Sequence, residues 1–239
     1  IDAVLQVAYN LFVSDFLCIV CAEERKDRSR RMPKMESFEL IDNFFQIVVL
    51  LCAAAAAGIF ALRRRSRDLL ILSLAYACFA MGTIYYVLHL VIIGIWPQVF
   101  YVAEISWLAA WLFYLSMQIL RTEGMKLRVS LPAGAAAAFI AAVAFFDHDF
   151  GPSYFVSALF ALTAGATVYL SVSHIQHGGL YKKRDILMVI CVVLQVLLYL
   201  ISNFTHDYTR FQLYYAVDLA LTLSMAALLP LTLREVKQA

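Results

Sequence analysis

Charged residues are scarce in this chain. Of 239 residues, only 15% are Asp, Glu, Lys or Arg, and the formal net charge is +2, whereas a soluble globular domain carries about 25% charged residues. A nucleic-acid-binding surface needs many cations clustered on one face. So few charges exclude that function class, and we expect no nucleic-acid partner.

Cysteine and metal-ligand patterns are also sparse. There are five cysteines, an odd number, and Cys52, Cys78 and Cys191 fall in apolar stretches where a thiol behaves as a small hydrophobe. Cys18 and Cys21 form a single CxxC with no second pair, so no disulfide framework, zinc site or redox site is predicted. His174 and His177 are three residues apart, a weak metal pattern that we interpret as solvated side chains.

Motifs of the common enzymes are missing. The sequence contains no HExxH, GxSxG, GxGxxG or Walker loop. These are the usual signatures of zinc proteases, serine hydrolases, dinucleotide-binding enzymes and P-loop nucleoside triphosphatases. We therefore predict no catalytic residues and no cofactor, and the sequence does not favour an enzyme.

Apolar residues make up 63% of the chain, more than one soluble core can bury without large exposed patches. A bilayer core about 30 Å thick requires roughly 20 apolar residues per helix. Seven such windows occur, at residues 40–62, 69–92, 99–120, 129–146, 154–173, 186–204 and 211–233. The sequence predicts an all-α, polytopic membrane protein: a seven-transmembrane-helix bundle over residues 35–239, with neighbouring helices antiparallel.

The basic residues predict the orientation of the bundle. Twelve Lys or Arg residues lie in alternate linkers and after the last span, whereas the other linkers contain Arg210 alone. By the positive-inside rule, the start of the first span is outside and the C-terminus is cytoplasmic. Every lysine lies outside the spans and Thr222 follows Asp218 by one turn, so the lysine Schiff base that holds retinal in rhodopsins is excluded.

Residues 1–34 do not fit this topology. Residues 1–22 are apolar with a thin polar stripe, and residues 23–34 carry six Lys or Arg residues that the scheme would place outside. Three interpretations stay open: an additional helix, a helix lying in the membrane interface, or a segment that is not part of the native protein.

Ionisable side chains within spans are costly and mark functional sites. Glu104, Asp218 and His89 all lie in the predicted outer halves of their spans, and Asn203 closes the outer end of the sixth. Aromatic residues lie at helical spacing from these groups: Trp107 and Trp111 follow Glu104, Tyr85 precedes His89, and Tyr215 precedes Asp218. Acids flanked by aromatic rings favour a cation or a proton, whereas interfacial anchoring would explain the aromatics alone.

The sequence predicts an integral membrane sensor or receptor-like module of the bacterial cytoplasmic membrane. A small or cationic ligand would bind in an outward-opening pocket formed by those eight residues, and a protein partner would contact the cytoplasmic regions 121–128 and 181–185. Three alternatives stay open: a transporter, a proton-coupled membrane enzyme and a structural subunit of a membrane complex. No family resemblance supports one over another.

Overall fold

The computed structural model describes residues 37–93, 101–122, 130–146, 154–176, 182–205 and 211–238. Within these ranges the chain forms seven helices and no strand, which confirms the predicted all-α fold. The helices are α1 Ser37–Arg64, α2 Arg67–Ile93, α3 Tyr101–Thr122, α4 Leu131–Phe146, α5 Tyr154–Gln176, α6 Lys182–Phe204 and α7 Leu213–Gln238. The predictions for residues 1–34 lie outside the described residues.

Six of the seven helices, all but α4, are long and apolar enough to cross a membrane. Their ends lie within five residues of the predicted limits, and most of the difference is extra helix at the basic flanks, as at Lys182–Asp185. Long cationic side chains can reach the headgroup region while their backbone stays helical. The protein is therefore an integral, multi-pass membrane protein.

Helix α4 is shorter than predicted, with 16 residues that span about 24 Å at 1.5 Å per residue. It begins after Ser130, whose hydroxyl accepts a hydrogen bond from the Ala133 amide at 3.3 Å and so acts as the helix N-cap. The same hydroxyl bonds Gln176 at the end of α5. A Cβ added at Gly165 of α5 would lie 3.0 Å from the Ala141 side chain of α4, so a small residue permits this close helix packing.

The two ends of the bundle differ in charge. Every described Lys and Arg lies at the end where α1, α3, α5 and α7 finish; we call this the basic end. The opposite end is the outer end, named for the side on which the sequence places it. Among the described residues, four carboxyl side chains lie in the outer half, those of Glu39, Asp42, Glu104 and Asp218.

Helices α1 and α2 meet through a two-residue turn in which Arg65 has a φ of 51°, in the left-handed region that non-glycine residues rarely adopt. Their contact is lined by Ala53, Ala54 and Ala57, which are almost fully buried. The Ser73 hydroxyl of α2 donates to the Ala54 carbonyl at 2.8 Å. The alanine run therefore serves close packing of these two helices.

Candidate ligand-binding site

A cavity of about 390 Å³ lies in the outer half of the bundle, and all seven helices contribute to its wall. Its described polar lining residues are Glu39, Asn43, Gln46, Glu104, Ser157, Gln195, Ser202, Asn203 and Asp218. Its aromatic lining residues are Phe79, Tyr86, Trp107, Phe160, Tyr199 and Tyr214. Carboxyl groups and rings thus line the same cavity, and none of the described lining residues is a Lys or Arg.

Asp218 lies at the centre of a hydrogen-bond network that joins α1, α2 and α7. The Gln46 amide nitrogen donates to Asp218 Oδ1 at 2.9 Å and to Thr222 Oγ1 at 3.2 Å. The Thr83 hydroxyl donates to Gln46 Oε1 at 2.7 Å. Asp218 is only 6% exposed, and buried polar groups are stable only when they are hydrogen-bonded, so this network holds the acid in place.

A second acid is paired with Asp218. Asp42 of α1 is buried, and its carboxyl group is a hydrogen-bond partner of the Asp218 carboxyl group. Ionised carboxylates only accept hydrogen bonds, so two of them can bond to each other only through a proton. The two carboxyl groups therefore form this bond by sharing a proton.

Trp107 forms one wall of the cavity and is positioned by α2. Its ring nitrogen donates to Thr83 Oγ1 at 3.4 Å, and its ring centre lies 6.2 Å from that of Phe79. A Cβ added at Gly82 would lie 2.7 Å from Trp107 Cδ1 and 2.9 Å from the Ala103 carbonyl oxygen. The absence of a side chain at Gly82 therefore sets both the approach of α3 to α2 and the position of the indole.

On α5 and α6, aromatic rings that line the cavity pack edge to face. The Phe160 ring of α5 lies 5.2 Å from the Tyr199 ring of α6, with an interplanar angle of 84°. Near the outer end, the Tyr86 hydroxyl donates to Glu39 Oε1 at 2.6 Å, which ties α2 to α1. The cavity thus has rings along its length and carboxylates at several depths.

Four of the eight predicted site residues line this cavity: Glu104, Trp107, Asn203 and Asp218. The other four are absent from its described lining. Tyr85 and His89 contact each other at 6.3 Å between ring centres. Trp111 is fully buried against Tyr114 and Phe160, and Tyr215 is buried against Phe38.

Several lining residues were not predicted, each for an identifiable reason. Glu39 lies just before the predicted start of the first span at residue 40. Gln195 is uncharged, whereas the predicted site was chosen mainly from ionisable groups and their aromatic neighbours; among the described residues its Oε1 has no hydrogen-bond partner. Tyr86 and Tyr214 are adjacent in the sequence to the predicted Tyr85 and Tyr215. Which of two adjacent residues faces the cavity depends on the rotation of the helix about its axis, which the sequence does not determine.

At the basic end, a buried ion network joins five helices. Arg121 Nη1 of α3 lies 2.5 Å from Asp185 Oδ1 of α6, and His174 Nδ1 of α5 lies 3.6 Å from the same oxygen. Arg184 Nη1 lies 2.9 Å from Glu235 Oε2 of α7 and 3.5 Å from Asp68 Oδ2 of α2. The sequence pattern did not predict this burial, because it counts an arginine beside a span only as a topology signal.

The network also changes the interpretation of the predicted partner-binding regions. Arg121, Arg184 and Asp185 have buried side chains, so they hold the helices together instead of forming a surface. In the described part of those two regions, the exposed cations are Lys182 and Lys183. No group of three or more His, Cys, Asp or Glu among the described residues could hold a metal ion.

These features define a class: a multi-pass, all-helical membrane protein with an acidic, aromatic cavity in one half and a buried ion network in the other. Comparisons with family models, with curated proteins and with solved structures find no match.

Proposed function

We propose that this protein is a receptor-like module that binds a small ligand in the outer-half cavity, in the bacterial cytoplasmic membrane. The cavity itself carries the proposal. Its volume of about 390 Å³ lies in the range of about 300–1,000 Å³ that is typical of small-molecule sites. Apolar and aromatic walls with a few polar groups, as at Trp107, Phe160 and Gln195, are also typical of such sites.

The helices support binding without passage of the ligand through the protein. Transporters commonly have helices broken near the midplane, whereas the seven helices run without interruption through the described ranges. The described lining residues reach the middle of the bundle at Phe79 and go no further. Beyond that level the basic end is packed by the ion network around Arg184 and Asp185.

A receptor-like module passes its signal to another protein, and we place that contact at the basic end. Lys182 and Lys183 are exposed there, at the start of α6. The same helix contributes Gln195 and Tyr199 to the cavity, so α6 links the proposed binding site to the proposed partner surface.

The experiment is a thermal-stability screen of the purified protein in detergent against a panel of small amines, alcohols and carboxylic acids. A ligand that binds only the folded state stabilises it by RT ln(1 + [L]/Kd), so the apparent melting temperature rises with ligand concentration. We expect at least one compound to stabilise the protein, and Ser157→Phe, which places a ring in the cavity, to abolish that effect. Ala158→Phe is the matched control, because Ala158 is exposed on the outside of the same helix turn.

Three results would contradict the proposal. Stabilisation that survives Ser157→Phe would place the ligand elsewhere, and a panel without any stabilising compound would favour a structural subunit. Flux of a bound compound into proteoliposomes that contain the purified protein would show transport instead of sensing.

A further inference from the structure

We infer that the cavity binds an elongated organic ammonium ion that carries a second hydrogen-bond donor at its far end. This inference rests on the proposed function, since it names the class of ligand for the same cavity.

The charge of the wall selects a cation. Glu39, Glu104 and Asp218 line the cavity, and no described Lys or Arg lies in the outer half of the bundle. In a low-dielectric environment this arrangement repels anions and attracts cations. The rings of Trp107 and Tyr199 add cation–π attraction for an ammonium group near their faces.

Among these acids, Glu104 has a carboxyl oxygen that can accept a hydrogen bond from a ligand. Glu39 accepts the Tyr86 hydroxyl at 2.6 Å, and Asp218 accepts the Gln46 amide at 2.9 Å. Glu104 Oε2 is a buried atom with no hydrogen-bond partner among the described residues. An ammonium N–H would satisfy it with a charge-assisted hydrogen bond.

Gln195 supplies the second acceptor. It is only 3% exposed, and its Oε1 lines the cavity side of α6 without a hydrogen-bond partner in the described part of the chain. A buried amide oxygen without a partner is costly. A donor on a bound ligand would remove that cost.

The two acceptors lie at different depths. Glu104 is the fourth residue of α3, which begins at Tyr101, whereas Gln195 is the tenth residue from the outer end of α6 at Phe204. At 1.5 Å per residue, Gln195 lies about 9 Å further from the outer end of its helix than Glu104 does from the outer end of α3. One ammonium group cannot bridge that distance, so the ligand needs an amine at one end, a hydroxyl or second amine at the other, and an apolar body between the rings.

Three aromatic probes separate these requirements. Tyramine has a primary ammonium, a ring and a distal hydroxyl; 2-phenylethylamine lacks the distal donor; and tyrosol replaces the ammonium with a neutral alcohol. We expect the wild-type protein in detergent to bind tyramine about tenfold or more tightly than tyrosol. Its preference for tyramine over 2-phenylethylamine is expected to be several-fold.

The variants assign each preference to its residue. Glu104→Gln should remove most of the preference for tyramine over tyrosol and leave the preference over 2-phenylethylamine intact. Gln195→Met, which conserves volume, should do the reverse. Glu39→Gln is the matched acid control, and its effect on the tyrosol ratio should be smaller because Glu39 already accepts the Tyr86 hydroxyl.

The inference is overturned if tyramine does not bind at millimolar concentration, if tyrosol binds equally well, or if Glu39→Gln changes the ratio more than Glu104→Gln. The proposed function fails separately, through the Ser157→Phe test with whichever compound binds. If a neutral ligand binds and Ser157→Phe abolishes its binding, the proposed ligand-binding function holds and only the inference of an ammonium ligand is wrong.

Discussion

Arg121 Nη1 lies 2.5 Å from Asp185 Oδ1, and the two side chains are 6% and 1% exposed. This ion pair joins α3 to α6 at the level where the sequence places the cytoplasmic surface. Arg121 also donates to Gln118 Oε1 at 3.3 Å. Breaking one side of a buried pair leaves the other charge uncompensated, which costs more than the pair contributes while intact.

Removal of one partner of this pair should therefore be strongly destabilising. Asp185→Asn is expected to lower the free energy of unfolding by about 3–5 kcal/mol, measured as loss of thermal stability in detergent. Lys183→Gln, two residues earlier and exposed, is the control and should change stability little. Equal stability of the two variants would show that the Arg121–Asp185 pair does not hold these helices together.

A side chain at position 82 should displace Trp107 in the wall of the cavity. Gly82→Ala places a Cβ 2.7 Å from the Trp107 ring, so we expect a loss of about 1–3 kcal/mol from overpacking and a shifted tryptophan emission spectrum. In Gly134→Ala the new Cβ meets no atom within 4 Å. That control should be neutral or stabilising by about 0.5–1 kcal/mol, as for glycine in a helix interior. If Gly82→Ala behaves as Gly134→Ala does, α2 and α3 are not in the close contact described.

Loss of the Thr83 hydroxyl should destabilise the protein more than loss of the equally buried Thr167 hydroxyl. Thr83→Val removes the donor to Gln46 Oε1 and the acceptor of the Trp107 ring nitrogen, leaving buried polar groups unsatisfied at about 1–3 kcal/mol. Thr167 is equally buried, but its hydroxyl donates to the Thr163 carbonyl within its own helix. Thr167→Val should therefore cost less in the same unfolding measurement, and the opposite order would contradict the network.

The predicted orientation can be measured by labelling single cysteines. Tyr154 is exposed at the outer end and Lys182 at the basic end. In a variant without the native cysteines, we expect a membrane-impermeant maleimide to label Tyr154→Cys in intact cells. Lys182→Cys should be labelled only after the membrane is permeabilised. The reverse pattern would place the cavity in the cytoplasmic half.

The helices were predictable because apolar length depends on the sequence alone, and the structure places each within five residues of its window. The cavity was only partly predictable, because periodicity relates residues along one helix and leaves its rotation about its own axis undetermined. Adjacent helical residues point about 100° apart. Tyr86 and Tyr214 therefore line the cavity where Tyr85 and Tyr215 were chosen.

Burial of charge was the least predictable property. Arg184 has the same sequence context as Lys182 and Lys183, yet its side chain is 1% exposed and theirs are at the surface. Its burial depends on Asp68 and Glu235, which are more than a hundred and about fifty residues away in the chain. Such pairing depends on which helices are neighbours, and a single sequence does not contain that information.

Arg184 and Asp185 are consecutive, yet they contact ionisable groups on four different helices: Asp68 of α2 and Glu235 of α7 through Arg184, and Arg121 of α3 and His174 of α5 through Asp185. A rotation of α6 about its axis would have to exchange all of these pairs together. The start of α6 should therefore move in an all-or-none manner, because no intermediate rotation keeps half of the charges compensated. Gln195 lies about three turns away on the same helix. Binding of a ligand there would therefore shift the basic end between two discrete arrangements of these ion pairs.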